Sequence, residues 1–159
     1  MNALTHAPIV KKIDWLNEAA TKALAHALAA QPAIANALIE LRGDLGAGKT
    51  TFARYLLAAL GVQGRVKSPT YGVVEPYALE GGLNIWHCDF YRFNDPREWE
   101  EAGFRDIFAS PGLKLVEWPD KAAEYLPQAD LGIAIELVDG NARQVTLTAY
   151  TPMGKALLS

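Results

Sequence analysis

The segment Gly43-Asp44-Leu45-Gly46-Ala47-Gly48-Lys49-Thr50 reads G-x-x-x-x-G-K-T without a mismatch, and no other feature constrains the fold as much. Glycines at these spacings let the backbone curl so that successive amide N–H groups point inward. The result is a concave anion site at the start of a helix whose dipole also favours negative charge. Such a loop belongs between a buried strand and a helix, and the flanks agree. Upstream, Ala37-Leu38-Ile39-Glu40-Leu41-Arg42 is an apolar, β-compatible run ending at Gly43. Downstream, Thr51 to Leu60 is rich in Ala, Leu, Phe and Tyr and stops at Gly61, as a helix would.

This P-loop predicts a phosphate site. Lys49 reaches the β- and γ-phosphates as a point charge, the Thr50 hydroxyl takes a position on Mg²⁺, and Thr51 offers a second hydroxyl near the α-phosphate. With Asp44, Leu45, Gly46, Ala47 and Gly48, these residues form the expected nucleotide-binding set, for ATP or ADP with Mg²⁺. No Asn-Lys-x-Asp string for reading guanine occurs, which weakens GTP as the ligand.

At 159 residues and 50% apolar, the chain suits one well-buried domain and is short for two. No stretch approaches the roughly 20 apolar residues of a membrane span, and the start lacks the layout of a signal peptide, so a cytoplasmic, membrane-free protein is expected. The single cysteine, Cys88, excludes an internal disulfide and a cysteine-only metal site, and its neighbours suggest a core position. Net charge is −3 and the basic residues are scattered, so autonomous nucleic-acid binding is not expected. Arg65 with Lys67, joined by Arg92, could still meet phosphate in a complex, but ordinary surface solvation explains this local basic group better.

The remaining punctuation gives a coarse map. Pro8 to Ile13 reads as a short edge strand, and Asn17 caps an alanine-rich helix running to about Ala30, where Gln31-Pro32 stops it. Tyr71 to Leu79 and Leu83 to Phe90 flank Glu80-Gly81-Gly82 as an antiparallel hairpin. Asp95-Pro96 opens a helix that ends at Gly103. Leu113 to Glu117 is a short strand broken by Pro119, and Leu131 to Val138 pairs with Gln144 to Tyr150 about Asp139-Gly140-Asn141. The predicted fold is α/β: a single P-loop NTPase-like domain over residues 1–159, with a mixed sheet whose antiparallel hairpins are flanked by helices.

Hydrolysis or transfer also needs a carboxylate for the metal and a group to orient the nucleophile. Two acids stand at strand ends. Glu117 closes the run Leu113-Lys114-Leu115-Val116-Glu117, as a Walker B acid arrives beside a P-loop, and is the first candidate for the metal side, directly or through water. Asp89 closes Ile85-Trp86-His87-Cys88-Asp89 and is the second catalytic carboxylate, alongside Lys49. Either acid alone would as readily cap a helix or pair on the surface; with a P-loop in the same chain the joint reading strengthens. Ser68-Pro69-Thr70 is a rigid polar turn suited to a nucleotide switch, although a plain turn into the next strand accounts equally for it. His87 is assigned no chemistry, and Trp118, beside Glu117, packs over the site or anchors the core.

Together these strings resemble the TsaE (YjeE-type) family of P-loop ATPases of bacterial tRNA modification. The resemblance is carried by Gly43 to Thr51, Val66-Lys67-Ser68-Pro69-Thr70-Tyr71, Val74-Glu75-Pro76-Tyr77, His87-Cys88-Asp89-Phe90-Tyr91-Arg92 and Val116-Glu117-Trp118-Pro119, in the family's order. Cys88 departs mildly, at a position where the family often has an aromatic residue. The resemblance implies an ATPase, weak without partners, needed for making threonylcarbamoyladenosine in tRNA. It implies association with TsaD-like and TsaB-like proteins and contact with tRNA only through that complex. It also implies that Lys49 and Thr50 are the P-loop lysine and metal hydroxyl, Glu117 the metal-side acid, and Asp89 the other catalytic acid. Thr70 would belong to the first switch segment, Trp118 would lie beside the site, and the helix from Asn17, including Thr21, would neighbour adenine. Two other readings remain open at this point: a small-molecule kinase, for which no Arg-rich lid is visible, and a nucleotide-dependent binding module with little turnover.

Overall fold

The computed structural model describes residues 7–64, 74–138 and 142–159. The proposed switch residues Ser68, Pro69 and Thr70, the basic Arg65 and Lys67, and the turn Asp139-Gly140-Asn141 lie outside the described residues. In chain order, β1 (Ile9–Trp15) leads to α1 (Glu18–Ala29), a 3₁₀ turn (Pro32–Asn36), β2 (Leu38–Arg42) and α2 (Lys49–Leu60). Then come β3 (Val74–Ala78), β4 (Asn84–Asp89), α3 (Pro96–Glu101), α4 (Phe104–Ala109) and β5 (Leu113–Glu117). A second 3₁₀ turn (Pro119–Ala122), β6 (Leu131–Leu137), β7 (Arg143–Ala149) and α5 (Pro152–Leu157) complete the chain.

The strands form one mixed seven-stranded sheet in the order β1-β7-β6-β2-β5-β4-β3. Strands β6, β2, β5 and β4 run parallel, while β3 and the β7–β1 pair are antiparallel additions at the two edges. The α/β class, the hairpins and their flanking helices therefore stand as the sequence predicts. Position follows composition: β5 is buried at every residue and lies between β2 and β4, whereas β7 alternates buried and half-buried positions.

Local punctuation explains the helix ends. The Asn17 side chain accepts the Ala20 N–H at 3.1 Å, and the Asp95 side chain accepts the Arg97 N–H at 3.0 Å with Pro96 at the first helical position. Two short helices were not expected. Gly103 ends α3 but also opens α4, whose Phe104 is driven into an aromatic cluster with Phe90 and Trp99. Thr151-Pro152 repeats the Asp95-Pro96 signal and caps α5 through the Gly154 N–H.

Alternation along the central strands divides the core in two. On one face Ile39, Leu41, Leu113 and Leu115 meet Ala25 and Leu28 of α1 and Phe52, Leu56 and Leu57 of α2. On the other, Leu38, Cys88 and Val116 meet Phe90, Trp99 and Phe104. Each fully buried Leu or Phe contributes roughly 1.5–3 kcal/mol relative to exposure. Helix α2 is thus held rigidly on the sheet, and with it the loop that precedes it. Among the described residues no helix is long and apolar enough to cross a membrane.

Candidate functional site

The glycine-rich loop spans the gap between the end of β2 and the start of α2. Two of its glycines have positions that no other residue fits. Gly43 has φ 153°, and a Cβ there would sit 2.6 Å from the Ile135 carbonyl oxygen on β6. Gly48, the residue capping α2, adopts a left-handed conformation with φ 118°. The first-turn amides of α2 have no carbonyl partners within the helix, so they face the loop's concavity.

Lys49 is buried, and its Nζ donates to the Gly43 and Asp44 carbonyls, folding the side chain along its own loop. The same Nζ lies 4.3 Å from the centre of the Trp118 ring. Desolvation lowers the pKa of this ammonium, while the charges of Glu117, Asp89 and Asp44 work in the opposite direction.

Parallel register brings the two predicted acids together. Asp89 and Glu117 are partners across β4 and β5, so their side chains leave the same face, toward α2. The Thr50 hydroxyl donates to Glu117 Oε1 at 3.3 Å, placing the predicted metal pair within reach of each other. Asp89 accepts the Tyr91 N–H at 2.9 Å. Its pKa is raised, first by burial and then by the Glu117 charge, against the lowering effect of that N–H and of His87 and Lys49.

The chain then turns sharply at Trp118, whose φ of 56° makes it the one described non-glycine residue with a left-handed backbone. Its ring packs against Tyr91 with centroids 4.9 Å apart. Arg42, at the end of β2, pairs with Glu40 at 2.9 Å and with Asp120 at 3.2 Å, tethering the turn after Trp118 to the loop's own strand.

Two of the cavities that border the loop meet at Gly48. One, of about 250 Å³, is walled by Lys49, Thr50, Asp89, Glu117 and Trp118. The other, of about 470 Å³, lies against the start of α1 and includes Trp15, Asn17, Glu18 and Thr21. Gly48, Thr51 and Arg143 border both, so the two form one cleft along the N-terminus of α2.

The structure thus gathers Lys49, Thr50, Thr51, Asp89, Glu117 and Trp118, with Leu45, Gly46 and Gly48 of the loop, around one opening, while Asp44 and Ala47 line a separate cavity against β6. Two residues that sequence reasoning passed over join them. Arg143, at the start of β7, donates from Nε to the Ala47 carbonyl at 2.9 Å and so pins the loop from 96 residues away. His87 was expected to have no chemistry, yet its Nε2 lies 2.7 Å from Glu117 Oε2, fully buried. The available signal was a polar residue two positions before Asp89, hence on the same face of an otherwise apolar strand.

Residues 15–145 match the family model described as threonylcarbamoyl adenosine biosynthesis protein TsaE. The chain belongs to the TsaE family. A Haemophilus influenzae TsaE, named a tRNA threonylcarbamoyladenosine biosynthesis protein, is 46% identical over 122 residues, covering 77% of this chain and 76% of that one. A Bacillus subtilis TsaE with the same designation is 39% identical over 142 residues, 88% of this chain and 87% of the relative. Among solved structures, Bacillus subtilis YdiB superposes with a TM-score of 0.78 at 32% identity, covering 96% of this chain and 94% of that one. The mixed α/β architecture is therefore shared across the TsaE family member and its structural neighbour.

Proposed function

We propose that this TsaE-family protein binds Mg·ATP in the cleft along α2 and hydrolyses it as an accessory step of tRNA threonylcarbamoyladenosine biosynthesis, acting on a TsaD–TsaB pair to support its turnover. The observation that carries the reading is the convergence of Lys49, Thr50, Asp89 and Glu117 at the mouth of the glycine-rich loop. The adjoining cavity beside Asn17 and Thr21 is where adenine and ribose would lie. Arg143 borders both halves and would meet the nucleotide at their junction.

The donor set fits Mg²⁺. Among the described residues no group of three or more His, Cys, Asp or Glu forms a ready cage. A hydroxyl and a carboxylate 3.3 Å apart are what an ion needs when the remaining positions go to phosphate oxygens and water. Bound there, Mg²⁺ would neutralise charge on the β- and γ-phosphates. Thr50 and Glu117 would hold it. The α2 amides and Lys49 would bind and orient the phosphates, with Lys49 exchanging its loop carbonyls for phosphate oxygens. Asp89 would align a water against the γ-phosphorus, whose bond to the bridging oxygen breaks as the new P–O bond forms. Small P-loop domains often gain their last transition-state contact from a partner, so slow turnover alone is expected.

The test is ATP hydrolysis by the purified chain with Mg²⁺, alone and with its TsaD and TsaB counterparts, with Lys49→Ala as the blank. Stimulation by the partners that disappears in the blank supports the reading. Intact ATP binding without binding to or stimulation by the partners would send the search for a client elsewhere.

A further inference from the structure

The Glu117 carboxylate is held at both oxygens. Oε1 accepts the Thr50 hydroxyl at 3.3 Å at the mouth of the cleft, and Oε2 lies 2.7 Å from His87 Nε2 beneath it. A carboxylate accepts hydrogen bonds, so the imidazole donates from Nε2. Its Nδ1 has no hydrogen-bond partner among the described residues, which leaves Glu117 as the described polar contact of a fully buried ring. The ring itself cannot drift. It belongs to β4, two residues before Asp89, and faces the same side of the sheet as Glu117.

We infer that His87 is a positioning residue for the metal-side carboxylate: its Nε2–H fixes one Glu117 oxygen so that the other points at Thr50 as a single, preset ligand for the cation. The inference rests on the reading of Glu117 as the metal-side acid. A glutamate has three rotatable bonds, and without the His87 contact its carboxylate would have poses open to it in which neither oxygen faces Thr50, or in which both compete for the ion. Outer partners that hold a ligand in this manner typically contribute 10–100-fold to metal affinity.

The experiment measures the affinity of adenylyl imidodiphosphate, a non-hydrolysable ATP analogue, in EDTA and in saturating Mg²⁺. By linkage, the ratio of the two dissociation constants reports metal affinity within the protein–nucleotide complex and is insensitive to a general loss of nucleotide binding. Wild type sets the reference ratio, and Glu117→Gln should lower it by about tenfold or more. His87→Leu, which fills the space without a donor, should lower it about tenfold while leaving affinity in EDTA unchanged. His87→Gln, whose amide nitrogen reaches as far as Nε2, should return within about threefold of wild type. Adding His87→Leu to Glu117→Gln should cost nothing further, because the two act through one contact.

A folded His87→Leu protein with the wild-type ratio would overturn the proposal, as would an undiminished loss in the Glu117→Gln background. Should His87→Leu fail to fold, His87→Asn, polar but one methylene too short, takes its place against His87→Gln. Equal ratios in those two variants would overturn it, and so would failure of all three to fold while Glu117→Gln remains native. If Glu117→Gln itself keeps the wild-type ratio, the reading of Glu117 falls first and the role of His87 falls with it.

Discussion

The two ends of the parallel strands differ in what their polar side chains border. At the amino end two polar side chains tie the chain together from within. Asp130 accepts the Leu38 N–H at 2.8 Å through one oxygen and the Thr151 hydroxyl at 2.6 Å through the other, and Asn36 Oδ1 accepts the Gly112 N–H at 2.9 Å. At the carboxyl end, Lys49, Asp89 and Glu117 crowd one opening, and burial pushes Asp89 up and Lys49 down, each away from its charged form. Ligands of open α/β sheets bind at the carboxyl ends of strands, where loops diverge. One end is closed by its own side chains; the other, in the function proposed above, receives a nucleotide.

Substitutions at the two ends should therefore differ in kind. The largest effect expected is on chemistry: Glu117→Gln should reduce ATP hydrolysis, assayed with TsaD and TsaB counterparts, by at least about a hundredfold, since charge placement at a phosphoryl centre is typically worth that much. Its melting temperature should stay near wild type. At the amino end, Asp130→Ala strips the partners of a buried amide and a hydroxyl, a loss of about 2 kcal/mol. That corresponds to a melting temperature lower by roughly 4–8 °C, with ATP affinity preserved. A loss of affinity there without destabilisation would contradict a structural role for Asp130.

A subtler change is expected from the charge on Asp89. Because Asp89 has a raised pKa in the folded state, the native protein holds that proton more tightly than the unfolded chain. Its contribution to stability is therefore complete below the ordinary carboxylate value and is lost as pH rises through the folded one. Asp89→Asn keeps an oxygen for the Tyr91 N–H and removes the charge. It should raise the melting temperature by about 1–3 °C at pH 7 without nucleotide, and the gain should vanish in acid, where wild type is itself protonated. A lower melting temperature at pH 7 would show that the charge stabilises the fold.

Much of this contrast was legible in the sequence because it is written in local signals. The glycine-rich loop, the Asn17 and Asp95 caps and the hairpin after Leu79 are short-range events, and the strand-end acids follow from apolar runs that stop on Glu117 and Asp89. What escaped depends on register and long-range pairing. Arg143 enters through β7, which pairs with β6 and β1, and no periodicity announces that its guanidinium meets Ala47. His87 becomes part of the site only because β4 lies parallel to β5 in one register. Helix α4 is a single short turn system whose formation owes more to the aromatic cluster around Trp99 than to its own propensity.

As proposed, the carboxyl-end cleft is a nucleotide site organised by Lys49. The most direct measurement is the melting temperature of wild type and Lys49→Ala with and without Mg·ATP. Ligand at about a hundred times its dissociation constant stabilises the native state by about 2.7 kcal/mol, so wild type should melt roughly 5–10 °C higher. Lys49→Ala should start from a near-wild-type melting temperature and rise little. An equal rise in both proteins, or none in wild type, would contradict the claim.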